Sequence, residues 1–210
     1  MGTSEDLTKT LLLIPCSAEK KGNIDPGLPD RAISEFLSTD AHSILGEGRK
    51  LALSGRIDLN SPRRPALAYY TGQPYATPEF RFLLIQVLHD GVHCLIISGG
   101  YGLLRPEEPI HSYSAHLATE TGAIWRRRLP EVIRDYVRNN GIRRIFGAFS
   151  RSYAAYIPRN LAEENWWAVP SFDRRRDRGS PMRVVPTKVG ALLASLLRNR
   201  LSPGEGWTRC

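Results

Sequence analysis

Three short apolar runs constrain this chain more than any other feature: Leu11-Leu-Leu-Ile14, Ala66-Leu-Ala-Tyr-Tyr70 and Cys94-Leu-Ile-Ile97, each ending abruptly in turn-forming or polar residues. Arg144-Ile-Phe-Gly-Ala-Phe149 is a fourth. Near-continuous apolar runs separated by helix-like segments are the signature of a mostly parallel sheet covered on both faces. The fold class expected is therefore α/β, a mostly parallel sheet flanked by helices.

The segments between the runs support that reading. Pro78 to Asp90 carries Phe82, Leu83, Ile85, Val87 and Leu88 as one buried helical face, with Thr77 as N-cap, Pro78 at the first helical position and Gly91 as the stop. Thr119 to Asn140 places Ile124, Trp125, Leu129, Ile133, Tyr136 and Val137 at three- and four-residue spacings; Pro130 within it is expected to kink or divide the helix. Asp30 to Leu53 reads as a helical region interrupted by Gly46 and Gly48, and Ser54 to Pro65 as a connecting loop. A last helix spans Lys188 to Leu201, with Phe172 to Pro181 as an exposed loop before it.

A chain of 210 residues can bury one substantial core and does not ask for a second. Residues 1–10 are expected to be a flexible N-terminus, 11–201 the single domain and 202–210 a tail. No apolar run approaches the about 20 residues that a membrane span needs. Met1 to Thr10 lacks a signal-like apolar centre, which predicts a cytoplasmic protein without membrane contact. Three cysteines, Cys16, Cys94 and Cys210, show no metal-like pairing, so free thiols, no metal and no cofactor are expected.

The net charge of +8 is uneven. Residues 1–105 hold 11 Lys and Arg against 11 Asp and Glu, whereas residues 106–210 hold 18 against 10. An excess confined to one half predicts a basic face suited to phosphate backbones, the plainer alternative being solvated arginines on helix surfaces.

Each run gives way to small or hydroxyl-bearing residues: Pro15-Cys16-Ser17, Thr71-Gly72, Ser98-Gly99-Gly100-Tyr101-Gly102 and Ser150-Arg-Ser-Tyr153. In an open parallel sheet such segments line the carboxyl edge, where ligands bind. The stretch from Ser98 to Tyr113 is the densest. Its three glycines would let backbone N–H groups approach a ligand, while Arg105, Glu107, Glu108, His111 and Tyr113 offer charge, acid or base, and a stacking surface. Gly99 and Gly100 serving only a turn, and Arg105 pairing with Glu108, are the alternatives.

These pieces resemble the YaaA family, named for a bacterial peroxide-stress protein, and more distantly the catalytic core of archaeosine synthase with its similar Pro-Cys-Ser segment. The matching residues run in order: Ile14-Pro-Cys-Ser-Ala-Glu-Lys20, Tyr70-Thr-Gly72, Ser98 to Pro106 with Glu108 and Tyr113, Trp125, Ser150 to Tyr153, and Lys188. They span about residues 11–200. The chain departs from the family in being shorter and in having His111-Ser112 before the tyrosine.

The resemblance implies work on nucleic acid, DNA ahead of RNA, or on a nucleobase or nucleotide. Two functions are expected from it together with the charge. The first is an enzyme of glycosylase or hydrolase type that holds a base in the strand-end cleft and acts on it or on its N-glycosidic bond. The second is a non-catalytic DNA-binding protein of the oxidative stress response. An enzyme on a small nucleotide metabolite is a third. In the enzyme, Glu108 would be the acid or base with Glu107 as fallback, and His111 would share proton work. Arg105, Lys20 and Lys188 would hold negative charge, and Tyr101, Tyr113 or Tyr153 would stack on the base. Cys16 is either a reactive thiol beside Ser17 and Lys20 or a packing residue.

Overall fold

The computed structural model describes residues 7–22 and 26–210. Six strands form one sheet: β1 (Thr10–Pro15), β2 (His93–Ser98), β3 (Gly102–Leu104), β4 (Arg144–Ala148), β5 (Glu164–Ala168) and β6 (Thr208–Arg209). Their order is β6-β5-β4-β1-β2-β3. The four central strands are parallel, and β3 and β6 close the two edges antiparallel. The mostly parallel α/β sheet expected from the apolar runs is present. Residues 1–6 of the segment read as flexible lie outside the described residues, and the segment read as a tail supplies β6.

Strand alternation divides the core into two layers. Leu12, Ile14, Cys94, Ile96, Phe146 and Ala148 face α2 (Phe80–His89) and α4 (Pro181–Arg198). Leu11, Leu13, Leu95, Ile97 and Ile145 face α1 (Thr39–Leu53) and α3 (Gly122–Asn139). Continuous apolarity is what such double cover requires.

Ser38 caps α1, its Oγ accepting from Ala41 N at 3.2 Å. Asp135 on α3 accepts from both Ser38 N and Ser38 Oγ, which ties the start of α1 to α3. Gly48 does not break α1. A Cβ there would lie 2.5 Å from the Trp125 ring, so the glycine is the notch that lets the two helices approach.

Several boundaries differ from expectation. Ala66 to Tyr70 is wholly buried but is not a strand: Ala66–Tyr69 is one helical turn, anchored by Ala66 N and Leu67 N donating to the carbonyls of Glu108 and Pro106. Apolar continuity reports burial and does not distinguish the two. Thr77 does not cap α2. Its hydroxyl donates to Gln73 Oε1, and the helix begins at Phe80 after Glu79 turns at φ 64°. The buried face of α2 is carried by Phe80 and Leu84, with Phe82 63% exposed.

α3 follows a π-type turn over Leu117–Thr121 and runs on through Pro130, where packing of Trp125, Leu129, Ile133 and Tyr136 outweighs one missing hydrogen bond. α4 starts at Pro181, seven residues before Lys188, because its first turns border a cleft and carry no apolar stripe to read. The Ser54–Pro65 loop contains two short pairings, Ile57–Asp58 with Ser112–Tyr113 and Arg64–Pro65 with Pro109–Ile110. These stitch the 109–113 segment to the domain and fix Tyr113. Among the described residues no helix is long and apolar enough to cross a membrane.

A candidate active-site cleft around Cys16

The carboxyl ends of β1, β4 and β5 open into a cleft of about 1270 Å³, completed by Thr71–Pro74 and the first turns of α4. This is the edge of a parallel sheet where the strand ends release the chain into loops. Pro15, Cys16 and Ser17 leave β1 into its floor, Ser150–Tyr153 follow β4, and Pro170–Phe172 follow β5.

Cys16 N extends the β1–β2 pairing by donating to Ile97 O at 2.8 Å, which fixes the thiol at the strand tip. Cys16 Sγ lies 3.3 Å from Tyr153 Oη. Ser17 is buried, and its Oγ accepts from Glu19 N at 3.1 Å. Gly72 passes directly over it, since a Cβ at 72 would stand 2.5 Å from Ser17 Oγ. Thr71 N donates to Glu19 O at 3.0 Å, while Thr71 Oγ1 is buried and has no hydrogen-bond partner among the described residues.

Lys20 Nζ donates to Ala18 O and stands 4.2 Å over the Tyr113 ring, a cation–π contact. Burial holds the Lys20 amine below the usual lysine range, opposed by the negative charge that Cys16 can carry. Beneath the floor Tyr113 Oη meets both Tyr70 Oη and Ser98 Oγ at 2.8 Å, and Ser98 Oγ accepts from Tyr101 N. Burial pushes the phenols of Tyr70, Tyr113 and Tyr153 well up, so they stay neutral hydroxyls.

The cleft lining is of mixed chemistry. Pro170, Phe172, Pro181, Met182 and Val185 contribute apolar surface, with Met182 84% exposed. The same lining holds the thiol, the hydroxyls of Ser17, Ser150, Ser152 and Tyr153, and the charged or titratable side chains of Glu19, Lys20, His116, Arg151 and Arg183. Lys188 does not line this space. Its ammonium bonds Asp177 Oδ2 at 2.7 Å and Ser171 O at 3.1 Å, clipping the Ser171–Ser180 loop to α4.

The glycine-rich turn is closed by the chain itself. Gly99 O accepts from Thr121 Oγ1 and Trp125 Nε1, and a side chain at 99 would collide with Ala115 O. A Cβ at Gly100 would meet the Tyr113 ring at 2.6 Å. At Gly102, where φ is +71°, it would meet the Trp125 ring at 2.5 Å. Close packing, against the 115–117 backbone at Gly99 and against aromatic rings at Gly100 and Gly102, accounts for these glycines. Tyr101 sits beside them, its Oη accepting from His111 N, outside the cleft lining.

The charged residues that follow are also elsewhere. β3 runs antiparallel to β2 and carries Arg105, Glu107 and Glu108 back from the carboxyl edge. Glu108 is 5% exposed and accepts from Arg49 Nη1 at 2.8 Å and Ile33 N at 3.2 Å. Glu107 accepts from Arg105 Nε at 2.6 Å, and Arg105 Nη1 donates to Tyr136 Oη at 2.7 Å. His111 Nδ1 donates to Ser61 O at 2.8 Å. None of these four lines the cleft.

The structure thus gathers Cys16, Ser17, Lys20, Thr71, Gly72, Ser150 and Tyr153 in one space. Ser98 and Tyr113 support its floor, and Gly99, Gly100, Tyr101, Gly102, Arg105, Glu107, Glu108, His111 and Lys188 stand outside it. Sequence reasoning missed Arg151, Arg183, Met182 and Phe172. Arg151 was within reach, lying inside a strand-end segment, whereas Met182 and Arg183 belong to the unread first turn of α4. Among the described residues no group of three His, Cys, Asp or Glu side chains is placed to hold a metal ion. No family model matches the chain, and no curated protein matches it.

Proposed function

We propose that this is a cytoplasmic, nucleic-acid-associated enzyme that takes a nucleobase into the strand-end cleft and acts on the base or its N-glycosidic bond. The observation that carries the reading is the mixed lining of the cleft, where apolar side chains share one space with a thiol, hydroxyls and a desolvated amine. A planar heterocycle has the same mixture, with apolar faces and polar edges. Met182, Phe172 and the prolines would cover a ring face, and Ser17, Thr71 and Tyr153 would read its edge. Arg151 and Arg183 would take the phosphates. The volume of about 1270 Å³ exceeds what one base fills and leaves room for its sugar and neighbours.

In this reading proton transfer falls to Tyr153 with the Lys20 charge beside it, and Glu108 acts only through the fold. Duplex and single-stranded DNA carrying normal, oxidised, alkylated and hypermodified bases would be incubated with the protein and scanned by mass spectrometry. The expected outcome is a released or altered base, lost in Lys20→Met and kept in Glu108→Gln at a temperature where both are folded. An unchanged panel would remove the enzymatic reading.

A specific observation favours the second reading, a non-catalytic DNA-binding protein. Arg174, Arg175, Arg176 and Arg178 are exposed on the loop beside the cleft, and among the described residues only Arg176 of these has an acidic partner, Asp173 at 3.7 Å. Phosphate contacts of that kind predict affinity that falls steeply with salt and ignores cleft substitutions.

A further inference from the structure

Three thiols stand in three environments. Cys94 is fully buried in the sheet, and burial pushes its thiol far up. Cys210 is exposed at the last residue. Cys16 is half-buried in the cleft floor, within hydrogen-bond reach of Tyr153 Oη and in the field of the Lys20 ammonium. Reactive cysteines occupy partly exposed sites beside a cation and a proton partner, whereas structural ones are sealed. Thr71 lines the same cleft, and its Oγ1 is buried without a hydrogen-bond partner among the described residues.

We infer that Cys16 is the covalent nucleophile of the cleft, adding to an electron-poor C=N carbon of a bound heterocycle, with Lys20 stabilising the thiolate and Tyr153 passing the proton. In that step the sulfur–carbon bond forms, the C=N π pair moves to the ring nitrogen, and the thiol proton reaches that nitrogen through the Tyr153 hydroxyl. Nothing is oxidised or reduced, and the addition reverses along the same path. The arrangement needs no carboxylate, consistent with Glu107 and Glu108 being engaged elsewhere. The choice of a heterocycle rests on the nucleobase reading above; the choice of Cys16 rests on its surroundings.

The test is carbamidomethylation of the folded full chain by iodoacetamide, followed residue by residue by peptide mass spectrometry, with Cys210 as the internal ordinary thiol. Cys16 is expected to react about tenfold or more faster than Cys210 near neutral pH. Lys20→Met should bring Cys16 labelling down towards the Cys210 rate, and Tyr153→Phe should slow it while leaving Cys16 the faster thiol. A second arm adds nucleoside monophosphates and short single-stranded DNA as protecting agents. Fast labelling that these slow supports the whole proposal. Fast labelling that none of them slows keeps Cys16 as the nucleophile and overturns the heterocycle. Labelling no faster than Cys210, while nucleotides still retard hydrogen exchange around the cleft, overturns Cys16 and leaves the nucleobase reading standing. Circular dichroism of each variant separates loss of reactivity from loss of fold.

Discussion

Arg49 Nη1 lies 2.8 Å from Glu108 Oε1, and the same guanidinium donates to the carbonyls of Tyr101 and Leu103. One side chain of α1 thereby binds the glycine-rich turn, β3 and the carboxylate beyond it. The Glu108 carboxylate is a structural partner within the protein, not a group presented to the cleft.

Removing it leaves a largely buried guanidinium bonded to two carbonyls but without its counter-charge. Glu108→Ala is expected to destabilise the fold by about 3 kcal/mol, and Glu108→Gln by less, because the amide retains an acceptor. Urea unfolding checks this. An unchanged midpoint in both variants would mean that Arg49 finds other partners.

A second buried network sets the acid limit of stability. Tyr136 Oη accepts from Arg105 Nη1 and lies 2.8 Å from His93 Nδ1. Burial, and then the charges of Arg105, Lys9 and Arg31, push His93 from 6.5 down to about 4. The unfolded chain therefore binds more protons in this window, and stability contributed by neutral His93 is lost as pH falls from 6.5 towards 4. Thermal melts across that range should show a slope that His93→Gln flattens.

Trp125 is fully buried against two glycines, Gly48 of α1 and Gly102 at the start of β3. Gly102→Ala suffers both from the ring and from a φ of +71°, so a cost of about 3 kcal/mol is expected. Gly48→Ala meets the ring and, at 3.1 Å, the flexible Arg128 side chain, with no left-handed φ to add strain, and some of that cost is returned by the better helix propensity of alanine. Melting temperatures of the two variants should fall in that order.

The Lys188–Asp177 pair holds a loop rather than a ligand. Lys188→Met should free the segment from Ser171 to Ser180, raising trypsin cleavage at its arginines by about tenfold while the melting temperature hardly moves. Equal cleavage rates would show that the loop is held by other contacts.

The sheet was legible in the sequence because a doubly covered strand has to be apolar throughout. Leu11 to Ile14 and Cys94 to Ile97 could satisfy that demand in few other ways. Glu164–Ala168 escaped because Glu-Asn-Trp-Trp-Ala has no such run, and Ala66–Tyr69 misled because a buried single turn of helix has the same composition. The site was half legible. Cys16, Ser17 and Tyr153 follow strands whose direction is parallel, so their shared edge could be inferred. Glu107 and Glu108 follow a strand that has reversed through Gly99–Tyr101, and the same glycines read equally well as a turn or as a ligand-binding loop. Fixation of the acidic motif by Arg49 depends on a partner 59 residues away in the chain.

The most direct test of the cleft as the functional site is hydrogen–deuterium exchange with and without a short single-stranded DNA. The account predicts slowed exchange in residues 15–20, 71–76, 150–153 and 170–187, with the glycine-rich turn and residues 105–108 unchanged. Protection confined to the face of α3 that carries the exposed Arg126, Arg127, Arg134 and Arg138, with the cleft exchanging as before, would contradict it.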